Sequence, residues 1–332
     1  MSYRDKLLQS AARARSILCL GIDPMLEYFP GELRPTGTFR DIRGITTLVH
    51  TALEALEERD LQPGAFKPNI GYFSACDRPL EFELPLEERF SGSLALAEVM
   101  RILRERMPGV PIILDSKRGD IARSSTNYAL EAFQGWQADA VTVSPWMGDD
   151  SVMPFLHAGS TGSAGSDGSA ASTDRGIYLL VRTSNPGAAR FQNVLTEDLP
   201  LYRRVLQVAR EWSGTAGATI GAVVGATAPR ELAEITLSLR ASPIPLLVPG
   251  IGRQGGTAEE VLRVLKETGY PPELVRVNVS SGICFPWAGG SGNSGAPRLP
   301  APADWRSAVR DAVAAAWADL CIHPAQTSDS AR

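Results

Sequence analysis

Eight short apolar runs, each closed by a polar, glycine or proline turn, constrain the fold of this chain more than any other feature. They span residues 17–22, 64–66, 110–114, 139–143, 177–181, 220–224, 245–248 and 274–279. Nearly all are apolar without alternation, so both faces of each strand must be buried, as in an all-parallel sheet covered by helices. The stretches between them carry helical spacing. Ile45, Leu48, Val49, Ala52, Leu53 and Leu56 fall at i, i+3, i+4 intervals and form one apolar stripe. Residues 94–107, a segment from about 229 and residues 304–320 read as further helices. Eight strand–helix units predict an α/β architecture closed as a (β/α)8 TIM barrel rather than an open doubly wound sheet. No GxGxxG turn follows the first run, which weighs against a dinucleotide fold.

With 332 residues the chain is long enough to bury one such core, and a single barrel domain over 1–332 is expected. Two stretches, 159–173 and 288–303, are rich in Gly, Ser, Pro and Ala and nearly free of large apolar residues. They cannot bury a core and read as flexible insertions into the barrel. Net charge is −4, so no global basic field invites nucleic acid or an anionic membrane, and an anionic substrate needs a local positive site. Cys19, Cys76, Cys284 and Cys321 form no CxxC pair, and His50, His157 and His323 lack zinc-ligand spacing with them. No metal site is expected. The polar segment 1–10 is unlike a signal peptide, and no run of about 18 apolar residues is present to span a bilayer. A reduced, cytoplasmic protein is the expectation.

The third run leads into the sequence ILDSKRGDI, residues 113–121. Strand alternation points Asp115 and Lys117 to one face, and Gly119 breaks the strand so that Asp120 leaves from the turn. Two acids and an ammonium are costly to bury unless they pair with one another or with a substrate. Taken alone, the set has a second, less favoured reading as a strand-end salt bridge. Lys67, however, ends the neighbouring second run, so Lys67, Asp115, Lys117 and Asp120 can form one cluster of alternating charge. Asp23 after strand one, the turn Thr183-Ser184-Asn185 after strand five and a glycine-rich turn after strand seven add polar groups at the same barrel face. That face is where barrel active sites lie.

With these residues assembled, the chain resembles the orotidine 5′-phosphate decarboxylase family, and more closely its second, longer sequence type. The resemblance rests on Asp23 in LGIDP, Lys67 in FKPNIGYF, DSKRGDI at 115–121, TSNPGA at 183–188 and PGIGRQGG at 249–256. It covers about residues 15–285 and implies cofactor-independent conversion of orotidine 5′-monophosphate to UMP. By the same resemblance, Lys117 is the proton donor to C6 of the pyrimidine, Asp115 the acid beside the substrate carboxylate, and Lys67 the link to the ribose. Asp120 is the acid contributed across a homodimer interface to the partner's site. Asp23 is a ribose ligand, Ser184 a pyrimidine ligand, and Gln254 with its backbone neighbourhood, including Gly255, a phosphate ligand.

The chain departs from the family pattern in two places. An arginine commonly follows strand eight, whereas residues 278–282 read NVSSG. Arg253, at a position that is often small in relatives, is a replacement cation for the phosphate; alternatively Ser281 and backbone amides suffice. The family threonine after the second acid corresponds to Ser124 by spacing, with Ser125 and Thr126 as alternatives, while Asn127 reads as a helix cap. A Mg²⁺-assisted sugar-phosphate decarboxylase or aldolase shares the DxKxxD pattern, although Lys67 stands where a metal site prefers an acid. A nucleotide-binding barrel without catalysis is the second alternative. It leaves the buried charges without a use.

Overall fold

A computed structural model describes residues 1–34, 42–158, 174–215, 218–288 and 300–322. The proposed insertion at 159–173 lies outside the described residues, as does most of the one at 288–303. Eight strands follow one another: β1 (Leu18–Ile22), β2 (Ala65–Pro68), β3 (Ile113–Arg118), β4 (Ala140–Val143), β5 (Gly176–Arg182), β6 (Thr219–Val224), β7 (Leu246–Val248) and β8 (Val275–Val279). Each pairs in parallel with its sequence neighbours, and β1 pairs with β8. Bridges Phe66–Ile112 and Asn69–Asp115 join β2 to β3 and close the barrel. The expected (β/α)8 barrel is what forms.

Helices α1 (Tyr3–Ala14), α2 (Ile42–Glu57), α3 (Ser91–Arg106), α4 (Ala122–Leu130), α5 (Asp149–Ala158), α6 (Leu201–Thr215), α7 (Pro229–Leu239), α8 (Ala258–Thr268) and α9 (Trp305–Asp319) accompany the strands. The apolar faces of α2 to α9 and the outward side chains of the strands share one core. A second, smaller core fills the barrel itself, with Cys19, Ala65, Ile113, Ala140, Tyr178, Val223 and Leu247.

The polar N-terminal segment is not a free tail. Ser2 and Asp5 form a reciprocal capping box that starts α1, and Tyr3 and Leu7 from that helix plug the barrel's N-terminal end, fully buried. Gly176 makes room for the plug, because a Cβ there would stand 2.2 Å from the Tyr3 ring. Arg276 of β8 is also fully buried and holds the plug through backbone carbonyls, donating to Leu7 O at 2.6 Å and Gly64 O at 2.8 Å. Burial pulls its pKa down, yet each of its three nitrogens keeps a carbonyl acceptor. This end of the barrel is therefore built for stability. Arg276→Met is expected to cost about 3 kcal/mol, since it strands buried carbonyls. Urea unfolding checks this, and a loss under about 0.5 kcal/mol, the scale of a neutral surface change, contradicts it.

Candidate active site

The opposite end opens into a cavity of about 1110 Å³ to which all eight strand ends contribute. On its floor, Lys67 Nζ donates to Asp115 Oδ2 at 2.7 Å and Lys117 Nζ to Asp115 Oδ1 at 2.6 Å. The two lysines differ in exposure. The Lys67 side chain is 4% exposed and that of Lys117 is 50% exposed, so one is fixed and the other reaches into the cavity.

The third strand differs from its expected form. It runs through Arg118 and stops before Gly119, where a break is expected, but its register against β4 shifts between Leu114 and Arg118. Lys117 sits within this bulge with φ +48°, a left-handed conformation that costs a non-glycine residue about 1–2 kcal/mol. Thr142 of β4 holds the bulge. Its hydroxyl accepts from Ser116 N at 3.1 Å and Lys117 N at 2.9 Å, and donates to Asp115 Oδ1 at 2.9 Å. Asp115 and Lys117 thus share a face as expected, but by a bulge pinned across the strand pair rather than by simple alternation.

Electrostatics fix the charge states on this floor. Burial opposes ionisation of Asp115, but the ammonium groups of Lys67 and Lys117 outweigh it and hold the carboxyl well below the usual range. Burial likewise works against the Lys67 charge, and Asp115 and Asp23 overturn it, so its pKa lies above the usual lysine range. The depressed acid contributes stability present above its unfolded value of about 3.9 and lost as pH falls through its folded value. The raised lysine contributes stability present below about 10.4 and lost as pH rises through its folded value. Between those limits both stay ionised.

The remaining residues arrange around this floor. Asp23 and Asn278 line the cavity, and each keeps a buried Oδ1 with no partner. An unpaired buried acceptor costs about 1–3 kcal/mol, which donors on a ligand would recover. Ser184 reaches the cavity because glycines face it: a Cβ on Gly225 would lie 2.6 Å from Ser184 Cα, and one on Gly250 2.9 Å from its Cβ. Thr227 also donates to Ser184 O at 2.8 Å. After β7 the chain folds into a compact loop, with Gly252 N to Gly256 O and Gly256 N to Gly250 O both at 3.0 Å. Gly250, Gly252 and Gly255 take positive φ there, which accounts for the glycines in the motif. Arg253 and Gln254 line the cavity from this loop, and Gly255 shapes its turn.

Not every expected residue meets in this cavity. The lining includes Asp23, Lys67, Asp115, Lys117, Ser184, Arg253 and Gln254, but not Asp120, Ser124 or Gly255. Asp120 Oδ1 accepts from the amide of Ile121 at 2.7 Å, apart from the three-residue charge chain. Of the three hydroxyls on α4, Ser125 is buried and donates to Ser151 O, and Thr126 donates to Ala122 O, while Ser124 is exposed. Asn127 is no cap: it lies inside α4, whose N-cap is Ile121. Thr142 and Asn278 escaped the sequence reading. Their signal was a polar residue at the centre of an apolar strand, VTV and VNV.

Among the described residues no group of three His, Cys, Asp or Glu is placed to hold a metal ion, and no helix is long and apolar enough to cross a membrane. The sequence profile of the orotidine 5′-phosphate decarboxylase / HUMPS family matches residues 16–281. An orotidine 5′-phosphate decarboxylase of Thermomicrobium roseum is 36% identical over 282 residues, covering 84% of this chain and 86% of that protein. The Ralstonia pickettii protein of the same name is 36% identical over 79% of this chain and 83% of its own length. The Leishmania donovani OMP decarboxylase structure superposes with a TM-score of 0.65 at 28% identity, covering 96% of this chain and 99% of that one. The chain therefore belongs to the orotidine 5′-phosphate decarboxylase / HUMPS family and is a decarboxylase within it, an enzyme of the carboxy-lyase class.

Proposed function

We propose that this site converts orotidine 5′-monophosphate to UMP without a cofactor, with Lys117 delivering the proton to C6. The observation that carries the reading is the Lys67–Asp115–Lys117 chain, a buried carboxylate clamped by two ammonium groups at the cavity floor. Departure of carbon dioxide leaves a carbanion at C6 that the pyrimidine delocalises poorly. A fixed ammonium stabilises that charge as it develops and then protonates it. Lys117, the more exposed of the two lysines, is the one able to meet the ring.

Asp115 faces the substrate carboxylate in this arrangement. At about 4 Å and an effective dielectric near 20, the repulsion is about 4 kcal/mol. The most proficient enzymes supply roughly 20 kcal/mol, so repulsion is a minor contribution beside the preorganised charges and the energy of remote phosphate binding. Asp23, with its unpaired Oδ1, accepts from a ribose hydroxyl, and Ser184 contacts the pyrimidine. Gln254, the Gly255 turn and Arg253 take the phosphate, Arg253 standing in for the absent strand-eight arginine. A divalent metal at this floor would meet two ammonium groups, which disfavours the metal-assisted alternative. The longer sequence type and a cytoplasmic location complete the reading.

Asp120 and Ser124 serve the partner's site in a homodimer. Support comes from their place outside the chain's own cavity and from an apolar rim beside them. Ile121, Trp146 and Met147 are at least half exposed, and the turns bearing them adjoin through Ser144 N to Arg118 O at 2.7 Å.

Three outcomes follow. Lys117→Ala is expected to abolish turnover of orotidine 5′-monophosphate in chelator while leaving the fold intact by circular dichroism; retained turnover contradicts the assigned proton donor. Mixing Lys117→Ala with Asp120→Ala subunits is expected to restore about a quarter of wild-type activity, because half the dimers then carry one complete site. No restoration contradicts the shared site. Thr142→Val is expected to lower kcat about tenfold or more, because it frees the Lys117 bulge, with a smaller change in KM.

A further inference from the structure

Arg253 is held by uncharged groups. Its guanidinium lies over the Tyr28 ring, 5.1 Å from the centroid, and donates to Tyr28 Oη at 3.2 Å, with Met25 Sδ at 3.9 Å. A carboxylate in this role would neutralise the cation. An aromatic face and a neutral oxygen orient it and leave its charge available to an anion.

Tyr28 is itself anchored by the segment that follows β8. Trp287 Nε1 donates to Tyr28 O at 2.9 Å, and the Tyr28 and Phe285 rings stand 6.1 Å apart. Phe285 in turn packs edge-on against Trp287 at 6.0 Å and tilted against Phe29 at 5.5 Å. The aromatic cluster therefore links three places: the loop after β1, the segment after β8 and the guanidinium on the loop after β7.

We infer that Tyr28 is a positioning residue for phosphate binding, holding the Arg253 guanidinium at the cavity mouth. The inference rests on the reading of Arg253 as the phosphate cation. Under it, residues 280–288 after β8 carry no cation but brace the tyrosine that aims one. The ring contact and the hydrogen bond to the hydroxyl together restrict the orientation of the guanidinium. Fewer rotamers of the long arginine are then lost when the phosphate arrives.

Steady-state kinetics on Tyr28→Phe, Tyr28→Ala, Arg253→Ala and the Tyr28→Ala/Arg253→Ala double variant test this, using orotidine 5′-monophosphate and the unphosphorylated nucleoside orotidine. Arg253→Ala is expected to raise KM for the nucleotide about a hundredfold, and Tyr28→Ala about tenfold. Tyr28→Phe keeps the ring and is expected to raise KM about threefold, partial rescue that also controls for folding. Tyr28→Ala should add nothing in the Arg253→Ala background and should leave kcat/KM for orotidine unchanged. An unchanged KM in Arg253→Ala overturns the phosphate role of Arg253 and the inference with it. A large effect of Arg253→Ala overturns the inference alone if Tyr28→Ala has no effect on the nucleotide. So does a Tyr28→Ala effect that persists in the double variant or with orotidine.

Discussion

Asp115 is ionised in the barrel mouth because two ammonium groups reach it from different places, and the rest of the site is organised around that fact. A lone carboxylate this buried would take up a proton. Lys67 from β2 and Lys117 from the β3 bulge prevent it. In return, Asp115 holds the Lys67 charge against burial. Removing one member therefore changes the state of the others, and the three act as one electrostatic unit. The strain at Lys117 belongs to the same unit, because the Thr142 hydroxyl that accepts from two consecutive amides of the bulge also donates to Asp115.

The barrel divides its labour between its two ends. At the N-terminal end, α1, the glycine-made socket for Tyr3 and the carbonyl-bound Arg276 close the interior. At the other end, glycines let Ser184 and the loop after β7 approach the cavity, and acceptors on Asp23 and Asn278 stay unpaired. Two basic residues illustrate the contrast. Arg276 has all its interactions within the protein, whereas Lys117 keeps half its side-chain surface open to the cavity.

Much of this was legible in the sequence. Eight apolar runs located the strands to within a few residues, and polar residues after each run marked the functional end, because burial on both faces leaves few other places for charge. The end of β3 before Gly119 was legible, but its register shift between Leu114 and Arg118 was not. Periodicity cannot detect a bulge, whose cause lies on another strand at Thr142. The plug formed by α1 was hidden for a similar reason: most of its first residues are polar, and its buried face has only Tyr3 and Leu7 as large side chains beside Ser10, Ala11 and Ala14. Asn127 looked like a cap by residue type, but α4 begins earlier, at Ala122. The aromatic support of Arg253 joins residues 28, 253, 285 and 287, a contact across three loops that no local pattern encodes.

The ionisation of Asp115 is open to direct measurement by carbon-13 NMR titration of its carboxyl group in the folded enzyme, assigned by comparison with Asp115→Asn. The account predicts a titration midpoint below the ordinary carboxylate value of about 3.9. A titration midpoint at or above about 4 would show that the two lysines do not control this acid, and would contradict the electrostatic unit on which the proposed decarboxylation depends.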